Sequence, residues 1–308
     1  MMVGKLPLGE KILLTGATGQ VGGELSKTLK LVGDVVAPDR VTMDLANSDS
    51  IRETIRAIRP RWIVNSGAYT AVDKAESEPQ LAYAINAEAV KTIGEEAHAL
   101  GAGVIHFSTD YVFDGSGNEP YSETDAVGPV SVYGASKLAG EKALSESDAG
   151  NMIFRTSWVY GAKGKNFLLT ILKLAQERET LKIVADQHGA PTWSRDLARM
   201  TTQVIQDCET AARDKGLKAA LSDAGGIYHA AGSGETTWFG FATEAVQLQR
   251  KREAGVRFAA VEAIQTAQYP TPAKRPSNSR LNCSKLTERF GWTMMDWRDS
   301  LREVLSEL

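Results

Sequence analysis

The chain has 308 residues, 43% of them hydrophobic and 24% charged, and carries a net charge of −3. That composition suits a globular protein of one large or two unequal domains, and it lacks the basicity that nucleic acid or an anionic membrane would demand. Its two cysteines, Cys208 and Cys283, supply neither a disulfide framework nor a zinc motif and fit a reducing cytoplasm.

Lys11–Thr15 is a short apolar run of the type found in a buried parallel strand. A glycine-rich turn follows, Gly16-Ala17-Thr18-Gly19-Gln20-Val21-Gly22, and then Val21, Leu25, Leu29 and Val32 recur at helical spacing. Val35–Ala37 is a second strand, ending at Pro38-Asp39-Arg40. Asn47 or Ser48 caps a helix through Ile51, Ile55 and Ile58, closed by Pro60. Trp62–Asn65 is a third strand. A helical pattern covers about 80–100 with Asn86 inside it, and Val104–Thr109 is a fourth strand. The segment 110–130 is rich in Gly, Pro, Asp and Asn and reads as a loop. A helix bearing Tyr133 and Lys137 comes next, then strand Met152–Arg155.

This alternation predicts an α/β protein: a Rossmann-type, doubly wound parallel sheet with right-handed crossovers, and a smaller C-terminal substrate-binding portion. The dinucleotide-binding domain is expected over 1–165 and the mainly substrate-binding part over 166–308, with segments free to return to the sheet. In the second part, helices are expected near 166–178 and 194–208, and a strand at Ile227–His229. The small, polar stretch 209–226 reads as a surface connection. The stretch 266–282, with Pro270, Pro272 and Pro276, reads as a loop over a site. Met1–Glu10 lacks the apolar run of a secretory leader, and no apolar stretch is long enough to span a bilayer.

In the first turn Gly16 permits the bend, Gly19 lets backbone approach a pyrophosphate, and Gly22 allows close helix–strand packing. The helix N-terminus adds N–H donors and a positive dipole. Asp39, at the end of the second strand, is placed to accept from ribose hydroxyls. Arg40 beside it suits a 2′-phosphate, so NADH and NADPH both stay open.

Tyr133 and Lys137, four residues apart, share one helix face. None of the other seven tyrosines has a lysine at that spacing. A nearby ammonium is expected to lower the phenol pKa from about 10, fitting it for proton transfer with an alcohol or carbonyl oxygen. Thr109, with Ser108 beside it, ends the fourth strand where a hydroxyl can orient a carbonyl. Asp110 and Tyr111 follow at the same crevice. Trp158 falls at a strand end where a sugar or base can stack. Arg275 and Arg280 suit bidentate contact with a diphosphate. His98, His106, His188 and His229 are scattered and read as packing or surface residues, not metal ligands.

With those residues in place, the chain resembles the extended short-chain dehydrogenase/reductases, and within them the dTDP-4-dehydrorhamnose reductase family. The stretches that carry the resemblance are 70–76 (TAVDKAE), 108–115 (STDYVFDG), 132–141 (VYGASKLAGE), 154–160 (FRTSWVY) and 275–281 (RPSNSRL). The resemblance implies a cytoplasmic enzyme that uses NADPH or NADH to reduce the C4 ketone of a dTDP-linked 4-keto-6-deoxy-L-hexose. It implies that Tyr133 protonates the oxygen, Lys137 holds the nicotinamide ribose and tunes Tyr133, and Thr109 orients the carbonyl. It also implies cofactor contacts from Gly19, Gln20, Val21, Asp39, Asp44, Leu45, Gly67, Ala68 and Tyr69, and substrate contacts from Asp110 and Trp158. Tyr69 stands where histidine is expected.

Some members dimerise through Mg2+ held by glutamates. Glu24 matches one such position, but Arg195 stands where another glutamate is expected, so Mg2+ and a homodimer stay open. Sugar-nucleotide 4,6-dehydratases place Glu after the Asp that follows the active-site Thr; here Tyr111 follows Asp110. An epimerase, which would keep its cofactor through turnover, and a non-catalytic NADP-binding regulatory subunit are the competing readings.

Overall fold

In the computed structural model, which describes residues 5–308, the apolar run Lys11–Thr15 forms strand β1 with its last four residues buried. Met1–Gly4, where the leader reading begins, lie outside the described residues. The further strands of the main sheet are β2 (Asp34–Val36), β3 (Trp62–Asn65), β4 (Gly103–Thr109), β5 (Asn151–Thr156) and β6 (Gly226–His229). They lie in the order β6-β5-β4-β3-β1-β2, and every neighbouring pair is parallel.

Successive side chains along each strand point to opposite faces. Leu13, Ile63, Val104 and Ile153 meet Ile51, Ile55, Val90 and Ile93 of the helices on one face. Leu14, Val64, Ile105 and Phe154 meet Leu25, Leu197 and Val204 on the other. Both faces being covered explains why these strands read as unbroken apolar runs. β1 sits between β2 and β3, so the strand order reverses there. That switch point opens a crevice at the carboxyl ends of β1 and β3.

The helical stretch near 80–100 is interrupted. Pro79–Tyr83 leads into a π turn, Ala84–Glu88, before the helix Ala89–Leu100. Asn86 on that turn accepts from Tyr69 N–H (2.9 Å) and donates to Tyr69 O (3.1 Å) and Ser136 Oγ (3.0 Å). The irregular turn thus ties the loop after β3 to the helix Val132–Ser145, a placement typical of π turns at functional sites.

Segment 209–226 is not a surface connection. It forms the end of helix Ser194–Lys215 and a second helix, Leu217–Ala224. Ala212, Ala220 and Ala224 are buried there, because small residues let helices approach closely. Glu209 is buried too. It takes both guanidinium bonds of Arg61 (2.8 and 3.0 Å) and the Trp62 indole N–H (2.7 Å), which satisfies the carboxylate inside.

In the C-terminal part, helices Phe167–Glu177, Trp238–Arg252 and Trp297–Ser306 enclose cores around Tyr160, Trp193, Phe241 and Leu301. Thr180–Val184 and Ala260–Ile264 form a small parallel pair that the sequence did not announce. Segment 266–282 holds one short turn, Thr266–Gln268, and is otherwise irregular, as expected. No helix among the described residues is long and apolar enough to cross a membrane.

Candidate active site

The two turns that leave β1 and β3 touch at the switch point. Gly16 has φ +68°, and a Cβ there would lie 2.6 Å from Gly67 N. A Cβ on Gly22 would lie 2.1 Å from Gly16 O, so the first helix can seat against the turn only with glycine at 22. Gly19 caps the helix Gln20–Thr28 with no side chain, and no acidic residue occupies its first turn. The free N–H groups and dipole therefore remain available to a pyrophosphate, and the cradle fits a dinucleotide.

Leu45 packs so closely that a Cβ on Gly67 would be 2.5 Å from its Cδ1, which brings Leu45, Gly67, Ala68 and Tyr69 to the same crevice. Val21 packs on the core below, and Gln20 reaches Val159 O (3.4 Å) and Asn166 (3.0 Å) in the second part. The Tyr69 hydroxyl donates to Glu78 (2.7 Å). Asp39 is exposed, and its carboxyl accepts from Thr42 N–H and Oγ1, both at 2.8 Å; these bonds hold its pKa below the usual range. Arg40 is exposed beside it, 3.8 Å from Asp44. Asp44 itself accepts from Ala46 N–H (3.0 Å).

Ser131 caps the helix Val132–Ser145 by accepting from Gly134 N–H (3.2 Å). A Cβ on Gly134 would lie 2.2 Å from Tyr111 O, so this helix presses against the short turn Asp110–Val112 that follows β4. The Tyr133 ring meets Tyr111 edge-on at 5.5 Å. Thr109 Oγ1 accepts from Tyr111 N–H (3.2 Å), donates to Asp110 Oδ1 (3.0 Å) and lies near the Tyr133 hydroxyl. Thr109, Asp110, Tyr133 and Lys137 are thus assembled at the carboxyl end of β4.

The expected lowering of the phenol pKa is not found. Burial pushes Tyr133 up to about 12; the nearby Thr109 hydroxyl opposes this and the Asp110 charge adds to it. Lys137 Nζ points elsewhere, to Phe107 O (2.6 Å) and His106 Nε2 (3.2 Å), so it lends the phenol no charge in this arrangement. A neutral phenol is the form that can give a proton to a developing alkoxide.

Asp110 is 3% exposed, and its Oδ2 has no partner among the described residues. Burial raises its pKa to about 6, against the opposing effect of the nearby Ser279 and Thr109 hydroxyls. A carboxyl raised in the folded state stabilises the fold below its unfolded pKa and loses that contribution as pH rises through about 6. Asp110→Asn is therefore expected to be more stable than the parent at pH 7.5, by up to about 3 kcal/mol at 1.36 kcal/mol per pK unit. The gain should vanish near pH 4. Urea unfolding at the two pH values checks this, and equal stability at pH 7.5 would show that the carboxylate is better solvated than its burial implies.

Trp158 has φ +48°, which is strained for a bulky residue. Its indole stacks on Trp238 at 3.7 Å, and Gly189 lies so close that a Cβ there would be 2.6 Å from the ring. Trp238 went unnoticed in the sequence, where its helix start, Thr237-Trp238, carries no motif. Arg275 donates through Nη2 to Asp73 (2.7 Å), while its Nη1 is buried without a partner among the described residues. Arg280 is engaged by Glu235 (2.8 Å), Asn278 (2.8 Å) and Asn118 O (2.5 Å). The Ser279 side chain lies near Asp110, so segment 266–282 borders the site.

Glu24 is held by Arg195 at 2.9 Å, and Arg195 also grips Glu307. No group of three or more His, Cys, Asp or Glu among the described residues is arranged to hold a metal ion. His98 and His229 meet the carbonyls of Asp148 and Tyr121, and His188 is exposed. His106 is buried in β4, as a packing residue would be, and it touches Lys137 Nζ.

A family model described as the RmlD substrate binding domain matches residues 10–308. A dTDP-4-dehydrorhamnose reductase from Escherichia coli K12 is 48% identical over 305 residues, covering 96% of this chain and 97% of its own. One from Burkholderia thailandensis is 44% identical over 303 residues, covering 96% and 100%. The crystal structure of the Bacillus anthracis enzyme of that name, in complex with NADP, superimposes with a TM-score of 0.86 at 33% identity, covering 97% of this chain and 99% of that one.

Proposed function

The chain belongs to the dTDP-4-dehydrorhamnose reductase family, and from that membership we propose that it reduces the C4 ketone of dTDP-4-dehydro-L-rhamnose to give dTDP-L-rhamnose. It is an NAD(P)H-dependent oxidoreductase. The observation that carries the reading is the half-buried Tyr133 next to the buried Thr109 at the end of β4, beside a glycine cradle that fits a dinucleotide.

Gly16, Gly19, Gln20 and Gly22 would hold the pyrophosphate, with Asp39, Asp44, Leu45, Gly67, Ala68 and Tyr69 along the rest of the dinucleotide. When bound, the dinucleotide supplies a hydride to the carbonyl carbon. Thr109 orients the carbonyl oxygen and Tyr133 gives it a proton. Lys137 would serve the nicotinamide ribose, and would serve the phenol too only by turning its Nζ away from Phe107 O. Asp110 offers its unpartnered Oδ2 to a sugar hydroxyl, and the Trp158–Trp238 pair offers a flat apolar wall. Arg275 keeps one buried N–H face for the diphosphate; Arg280 could reach it only by releasing Glu235. Residues 166–308 supply most of the substrate side. We place the enzyme in the cytoplasm because its two thiols are free, as a reducing compartment leaves them.

The test is NAD(P)H oxidation with a panel of nucleotide-linked 4-keto-6-deoxy sugars. Turnover is expected with the dTDP-L-lyxo ketone well above its D-xylo epimer or UDP counterparts. Equal rates across the panel, or tightly retained NAD+ with no net oxidation, would overturn the assignment in favour of a broader reductase or an epimerase.

A further inference from the structure

Two charged residues sit at helix ends that local electrostatics disfavour. Arg195 is the second residue of helix Ser194–Lys215, where the positive end of the helix favours an anion. Glu307 follows the last residue of helix Trp297–Ser306, where the negative end favours a cation. Each finds its compensation in the other. The Arg195 guanidinium grips Glu307 through Nη1 and Nη2, the latter at 2.8 Å, and gives its Nε–H to Glu24 (2.9 Å). It also lies over the Trp193 ring, 4.9 Å from the centroid.

This clip uses every carboxylate oxygen of the two glutamates. Glu24 Oε2 accepts from Arg195 and Oε1 from Lys27 (2.8 Å), while Glu307 Oε1 and Oε2 both accept from Arg195. Two anions meet two cations, so the group carries no net charge, and Arg199, 5.6 Å from the Trp193 centroid, adds a further positive charge nearby. Burial works to raise the Glu24 pKa, but the bonds from Arg195 and Lys27 outweigh it and hold the carboxyl below its usual range. A magnesium ion needs oxygen ligands at about 2.0–2.1 Å and competes poorly for carboxylates that already face a guanidinium. The Mg2+ that the resemblance left open at Glu24 does not fit this arrangement.

We propose that Arg195 is a built-in cation that stands in for a divalent metal. It ties helix Gln20–Thr28 of the cofactor half to helices Ser194–Lys215 and Trp297–Ser306, and it makes the fold and the association state of this protein indifferent to Mg2+. Helix Gln20–Thr28 begins at the glycine cradle, so the clip anchors the element on which a pyrophosphate would sit. The proposal does not depend on which ketone the enzyme reduces.

The first test uses the parent protein and no substrate. At matched ionic strength, its Tm should agree within about 1 °C between EDTA and about 10 mM MgCl2, because an ion that does not bind adds no stability. Its mass in solution should be the same in both. A clear rise in Tm with Mg2+, or a fall in mass with EDTA, would overturn the proposal. The second test turns the clip into a metal site. Arg195→Glu sets a third carboxylate beside Glu24 and Glu307, so the variant should melt below the parent in EDTA and regain about 2–4 °C with Mg2+ at about ten times its Kd. Arg195→Gln, which removes the charge with little change in size, serves where three carboxylates prevent folding. It too should respond to Mg2+, because Glu307 has lost its counter-ion. Folded variants as indifferent to Mg2+ as the parent would show that Arg195 is not what excludes the cation, and the proposal would fall.

Discussion

Replacing Tyr133 with phenylalanine should lower turnover by about 10²–10⁴-fold, the range supplied by a positioned general acid. The substitution leaves the site's frame untouched. The Ser131 cap, the Asn86–Ser136 hydrogen bond and the edge-on contact with Tyr111 do not use the hydroxyl. What is lost is the hydroxyl beside Thr109, whose pKa is pushed up to about 12 and which is therefore neutral. Cofactor affinity should stay within about twofold, because the glycine cradle and Lys137 remain. Steady-state kinetics with a fluorescence titration of NADPH separates the two effects. Activity within a factor of about three of the parent would remove Tyr133 as the acid.

The largest effect on stability is expected at Arg155. Its guanidinium makes two bonds to Glu141 (2.9 and 2.7 Å), with the residues 3% and 2% exposed, and lies over the Phe113 ring. This pair joins β5 to the helix that carries Tyr133 and Lys137. Arg155→Met would leave a carboxylate buried without its counter-charge, and breaking such a pair costs about 3–5 kcal/mol. Replacing both partners, as Glu141→Leu with Arg155→Met, should recover most of that, because an apolar pair carries no desolvation penalty. Urea unfolding of the single and double variants checks the cycle. A single variant that loses less than about 1 kcal/mol would mean that water reaches the pair.

The sheet was legible because each central strand is buried on both faces. Lys11–Thr15 and Trp62–Asn65 therefore appear as apolar runs with the bounds the structure gives them, whereas the second strand begins at Asp34, one residue earlier than its apolar pattern suggested. Residues 209–226 were misread for a physical reason. Alanines that let helices touch, and a glutamate buried by Arg61 and Trp62, have the same composition as a solvated connection. The site was legible where its chemistry is local, as in Tyr133 and Lys137. It was hidden where partners come from afar. His106 meets Asn65 across 41 positions and Lys137 across 31, so no window of sequence displays that contact. The direction of the Tyr133 shift was missed because spacing along a helix says nothing about where a lysine's end is drawn.

Asp73 binds the Arg275 guanidinium and the Ala273 N–H, 202 and 200 positions further along the chain. On a ribosome adding about 5–20 residues per second, Asp73 is made roughly 10–40 s before its partner. By the end of that interval the residues of the glycine cradle and of helix 132–145 have been added, and segment 266–282 is the part still being made. The growing chain thus gains its cofactor half long before its last wall.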